Sequence, residues 1–200
     1  MTKSGQKNLI KLFMIDTIKL CGNTYFTLNP FDKRDSNTPS YASTNDKNLA
    51  DQYFANLEIQ LSKASTSGVP YIIVAGHFPV YSIAEHGPTK CLVDRLAPLL
   101  HKYKVSAYLS GHDHNLQHLS VNNLNTTVEY MVSGANSFNK ASSANSNSVP
   151  SNSFKFIWPT SLDLINGGFL MFQATESSMI IKFMKSTGDT LYQKEISPRN

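Results

Sequence analysis

Long apolar runs are missing from this 200-residue sequence, and no stretch approaches the ~20 continuous apolar residues of a membrane-spanning helix. Runs of like charge are missing too. The 18 basic residues are scattered and form no nucleic-acid-binding stripe. A mildly basic, solvated surface accounts for the net charge of +4. The first residues, Met1-Thr2-Lys3-Ser4-Gly5-Gln6, carry no apolar core behind a basic start, so the sequence as written has no secretion signal. Cysteine occurs only at Cys21 and Cys91. That spacing is unlike any CxxC clip and excludes a zinc ribbon, while an even count permits one disulfide without establishing it.

What is present describes an ordinary globular protein. An apolar fraction of 40% and a charged fraction of 16% exclude a disordered tail, and the length suits one domain spanning residues 1–200. The run from Leu9 to Ile15 reads as a strand. From Gly22 to about Thr44 the chain is polar and contains Pro30 and Pro39, the composition of a long surface loop. Asp46 is a candidate cap for a helix carrying Leu49, Tyr53, Leu57 and Leu61. A strand follows at Tyr71 to Ala75. Pro88 stands where a first helical turn would begin, and Leu92, Leu96, Leu99 and Leu100 give that helix its apolar face. Val105 to Leu109 is a further strand, so strand and helix alternate as in layered α/β proteins. Beyond Thr127, short strands at Val128–Val132, Gly168–Ala174, Met179–Met184 and Thr190–Ile196 suit a β-meander completing a sheet. The polar stretch from Asn136 to Asn152 separates the first of these from the rest.

Three histidines stand just past the ends of two of these strands, where open α/β sheets bind ligands. His77 follows Tyr71 to Ala75, and His112 and His114 follow Val105 to Leu109. A glycine precedes each cluster, Gly76 or Gly111, which suits a tight turn. Neutral imidazole ligates zinc, iron and manganese, so these residues do not choose the metal. A lone histidine at a strand end is more often a packing residue. Two glycine-led clusters in the same context favour ligation. Three histidines are too few for two metals, which need a bridging carboxylate as well. Asp113 is expected to hydrogen-bond an imidazole rather than to ligate directly. Asn125-Thr126-Thr127 is an acceptor sequon for N-glycosylation, weak support for secretion in a chain rich in Asn, Ser and Thr.

Gly76-His77-Phe78-Pro79 and Gly111-His112-Asp113-His114 resemble the last two metal-binding blocks of calcineurin-like metallophosphoesterases. The segments Val74–Thr89, Ala107–Gln117 and Met14–Asn23 are closer still to the tartrate-resistant purple acid phosphatase family, and the similarity continues more loosely through Val132–Ala135 to Gly167–Phe169. The resemblance implies the second half of a four-layer α/β/β/α sandwich and hydrolysis of phosphate monoesters, on small molecules or phosphoproteins, at a centre of Fe(III) plus a divalent Fe, Zn or Mn ion. It places His77 and His112 on the divalent ion, His114 on the ferric ion and His86 beside the phosphate as a proton donor. Imidazole suits that last task because it titrates near working pH.

The same resemblance implies a Cys21–Cys91 disulfide, a secreted or lysosomal location and a monomer when complete. It also matches the 22–44 loop, whose sequence differs from the mammalian form, to one that overhangs the active site and represses activity until cleaved. The family's first-strand Asp motif, Gly-Asp-x-x-Tyr block and Gly-Asn-His block are expected before Met1, and with them the bridging aspartate. Asp16 matches an ordinary family position and does not replace it. These residues alone are therefore expected to be inactive. Two other readings stand beside this one, a non-catalytic binding module and a related metallophosphodiesterase. The Ser82–His86 segment favours the monoesterase over the diesterase.

Overall fold

The computed structural model describes residues 8–21, 44–123, 125–136, 139–161 and 166–199. Most of the 22–44 loop lies outside them. The central element is a six-stranded sheet of β1 (Ile10–Met14), β2 (Tyr71–Ala75), β3 (Ala107–Ser110), β4 (Leu116–Asn123), β5 (Thr126–Ser133) and β6 (Phe154–Trp158). Its order is β1-β2-β3-β5-β4-β6. The pairs β1–β2, β2–β3 and β3–β5 are parallel, while β4 runs antiparallel to β5 and β6.

The period-2 alternation of β2 divides the core in two. Ile72 and Val74 join Leu57, Leu61, Leu92, Leu96 and Leu100 beneath α2 (Thr44–Ser65) and α3 (Lys90–Lys102). Tyr71 and Ile73 face the opposite way, with Met179, Ile181 and Phe183 of β8 (Met179–Lys185). That second core joins the large sheet to a three-stranded antiparallel sheet of β7 (Gly168–Ala174), β8 and β9 (Thr190–Ile196). The layers are thus helix, sheet and sheet. Among the described residues no helix covers the outer face of the small sheet, where Phe169 and Met171 are exposed.

Several expectations are corrected by these elements. The back half is not one meander: β5 is parallel to β3 in the large sheet, and β7–β9 form a sheet of their own. Strands β4 and β6 were not foreseen. Helix α2 begins two residues before Asp46, and Leu49 on it is exposed. The first turn of α3 begins at Lys90 with Thr89 as its N-cap, so Pro88 stands two residues before it rather than in it. Asp16 caps the short helix α1 (Thr17–Leu20), its Oδ1 accepting the Ile18 and Lys19 N–H groups at 3.0 Å. The Cys21 and Cys91 sulfurs are bonded with Cα atoms 5.8 Å apart, tying the end of α1 to the start of α3. The bridge closes a separation of 70 residues, and in the chain-entropy view loops of that size stabilise by about 4 kcal/mol.

Candidate metal and phosphate site

Parallel register brings the two histidine turns to the same level. Ala75 of β2 pairs with Leu109 of β3, and the ladder continues past both strand ends. Gly76 N–H donates to the Leu109 carbonyl and Gly111 N–H to the His77 carbonyl, each at 3.0 Å. The turns are therefore zipped together by backbone before any side chain acts. His112 sits at φ +68, an uncommon conformation for a residue with a Cβ. Such strain is held where surrounding structure over-determines it, and it gathers at functional sites.

The consequence is a close pair of imidazoles. His77 Nε2 and His112 Nδ1 lie 3.2 Å apart, with ring centroids 5.1 Å apart at 75°. Phe78 is buried under both, 5.0 Å from His77 and 4.3 Å from His112. Its own turn is pinned, since the Phe78 N–H donates to the Thr17 hydroxyl and its carbonyl accepts from Tyr108 Oη at 2.7 Å. Desolvation by these neighbours holds the His77 pKa below the ordinary imidazole value, favouring the neutral, ligating form.

The His86 ring leans on the His112 ring at 4.4 Å. His114 has no ring contact with His77 or His112 among the described residues. Its exposed side chain lines, with His86, Asp113, Lys140 and Ser142, a cavity of about 50 Å³. The His112 ring thus contacts both the His77 and the His86 rings, while His114 lines a cavity together with His86. Among the described residues, no group of three or more His, Cys, Asp or Glu side chains is placed to hold a metal ion, so a ligand set built here starts from a pair.

Asp113 differs from its expectation. It is buried and meets no imidazole: one carboxyl oxygen takes the Ser82 hydroxyl and the other the His86 backbone N–H at 3.2 Å. The glycines differ from each other as well. A Cβ at Gly76 would stand 2.6 Å from Thr17 Cγ2 and 2.9 Å from Tyr108 Oη, whereas at Gly111 the nearest atom is 3.9 Å away. Close approach is needed at the first turn and not at the second.

Sequence reasoning also passed over the polar stretch as a mere separator. The Asn145 amide donates to the Ala84 carbonyl at 2.6 Å, and Lys140 donates from its backbone to the His114 carbonyl and from Nζ to Glu85. This segment packs onto the His86 loop. Its richness in Asn is a readable signal, since each Asn amide carries two N–H donors for loop carbonyls.

Residues 7–116 match the calcineurin-like phosphoesterase family. The chain belongs to that family. Among curated relatives it is 39% identical over 190 residues to tartrate-resistant acid phosphatase type 5 of Oryctolagus cuniculus, covering 95% of this chain and 53% of the relative. To the Homo sapiens protein of that name it is 38% identical over 198 residues, 98% of this chain and 56% of the relative. Purple acid phosphatase 4 of Arabidopsis thaliana is 29% identical over 94% of the chain and 50% of the relative. The chain spans about half the length of the curated relatives it matches.

Solved structures agree on the fold. A Plasmodium protein described as the anchor in the inner membrane complex superposes with a TM-score of 0.69 at 21% identity, over 100% of this chain and 53% of that one. The purple acid phosphatase from yellow lupin seeds gives 0.55 at 19%, over 73% of this chain and 28% of that one.

Proposed function

We propose that this chain supplies the divalent-metal and proton-donor side of a phosphate monoester hydrolase of the acid phosphatase type. The observation that carries the reading is the His77–His112 pair. Two nitrogens on one tetrahedral ion with bonds of about 2.05 Å stand roughly 3.3 Å apart, and these stand at 3.2 Å. The separation is also that of a ring-nitrogen hydrogen bond, and two imidazole nitrogens so placed suit a divalent Fe, Zn or Mn ion once both are deprotonated. His114 is assigned to Fe(III), with bridging and oxygen donors from outside these residues.

A bound metal pair would neutralise phosphate charge and generate a nucleophile near neutral pH. The chain's own residues do the rest. His77 and His112 present ring nitrogens, Phe78 packs against both rings, and His86 offers a proton to the departing oxygen of the substrate. Small phosphate monoesters and phosphoproteins are the substrates of this reading. Nucleic acid is not among its partners. The working form is a monomer, secreted or lysosomal. Asn125, exposed at φ +57 between β4 and β5, is accessible to glycosylation. No helix among the described residues is long and apolar enough to cross a membrane.

Hydrolysis of p-nitrophenyl phosphate by this chain, and by the longest polypeptide its transcript encodes, tests the proposal. Negligible turnover is expected from the 200 residues and metal-dependent turnover from the longer product. His112→Ala should lower the latter by roughly 100-fold or more, the scale of losing one preorganised electrostatic group. A metal-loaded longer product without activity would leave a non-catalytic role for the fold instead.

A further inference from the structure

Ser82 Oγ has two lone pairs and both are occupied. It accepts the Ala84 N–H at 3.1 Å and the Gln117 Nε2 amide at 2.8 Å. The Gln117 amide cannot be turned the other way, because its Oε1 accepts the Ile83 N–H at 2.9 Å while Nε2 also donates to Asn115 Oδ1 at 2.8 Å. The Ser82 hydroxyl proton is therefore committed to the remaining partner, Asp113 Oδ2. Asp113 Oδ1 accepts the His86 N–H. Ser82, Asp113, Asn115 and Gln117 are all at most 1% exposed, so no water replaces a lost partner without reorganisation.

We propose that Asp113 is a positioning residue which, by accepting on both oxygens, fixes the Ser82–His86 loop to the turn that carries His112 and His114. This rests on the assignment of His86 to the substrate side of the site. The two halves of that site arrive on separate segments of chain, and Asp113 holds the backbone of the loop at His86, as Gln117 does at Ile83. A double acceptor is required at this point. An amide in its place would keep its oxygen on the fully buried Ser82 hydroxyl, whose proton has no other acceptor, and so set its N–H against the part-buried His86 N–H. Asn fills the same volume as Asp, so a packing role would survive the exchange and a positioning role would not.

Backbone amide exchange at His86, followed by NMR in the 200-residue chain, reads this without turnover, so its outcome is independent of whether the protein is a phosphatase. Asp113→Asn is expected to speed His86 exchange by at least about tenfold, the worth of a hydrogen bond to a charged group. Exchange at Tyr108 in β3 should stay unchanged. Adding Ser82→Ala removes the opposing hydroxyl, lets Asn Oδ1 turn back to His86, and should restore protection to within about threefold of the Ser82→Ala single variant. Wild-type protection in Asp113→Asn overturns the proposal. Should that variant melt before exchange is read, the double variant is read in its place, and loss of His86 protection there overturns it equally.

Discussion

At Gly134 a methyl group would fall on the backbone carbonyl oxygen of Asp113. That carbonyl already accepts the Asn115 N–H at 2.8 Å, so it has no room to withdraw. Gly134→Ala is accordingly expected to destabilise by about 1–3 kcal/mol, while Gly111→Ala, with open space around it, should cost much less. Urea denaturation of the two variants checks the contrast, and equal midpoints would contradict it. Residues differed in how far sequence exposed them. His77 and His112 were legible because each follows a strand end and a glycine, a local pattern. The roles of Asp113, Ser82 and Gln117 were not, because their partners lie 27 to 35 residues away and depend on the fold being complete.

Among the elements, β4, β5 and β9 meet at a buried ion pair. His118 Nε2 donates to Glu129 Oε2 at 2.8 Å, its Nδ1 is hydrogen-bonded to Tyr192 Oη at 3.0 Å, and Lys194 Nζ reaches Glu129 Oε1 at 3.1 Å. This polar latch crosses from the large sheet to the small one. Removing His118 takes one hydrogen-bond donor from the buried Glu129 carboxylate, which keeps Lys194, so His118→Ala should destabilise by about 1–3 kcal/mol. Removing Lys140 from the exposed Lys140–Glu85 pair, with side chains 56% and 54% accessible, should cost far less, since solvent screens it.

The latch also carries a pH sign. Burial alone would raise the Glu129 pKa, but the His118 hydrogen bond and charge together with Lys194 outweigh it and hold the carboxyl below its ordinary value of 4.5. A depressed folded pKa contributes stability that is complete above 4.5 and lost as pH falls below it. Denaturation at pH 6 and pH 4 should show that loss in the wild type and a smaller one in Glu129→Gln. The strand β4 escaped sequence reading for a related reason. Its Gln117 and His118 are buried by hydrogen bonds, so they break the apolar alternation by which a strand is recognised. Strand β6 is an edge strand with no fully buried position, and its pattern is correspondingly weak.

At the scale of the molecule, layering was legible because alternation in β2 and the leucine face of α3 each point to one core. The second sheet was not, since β7 to β9 read as strands without revealing which strands they pair with. The same limit applies to the site. Local pattern located its histidines, but their mutual distance came from the register of β2 against β3. The central claim is that this register makes His77 and His112 one metal-binding pair. Titration of Co(II) into the 200-residue chain, followed by its visible absorption, tests it most directly. The expected result is saturable binding near one equivalent that His77→Ala and His112→Ala each abolish. Absence of saturable binding, or binding undiminished by both substitutions, would contradict the account.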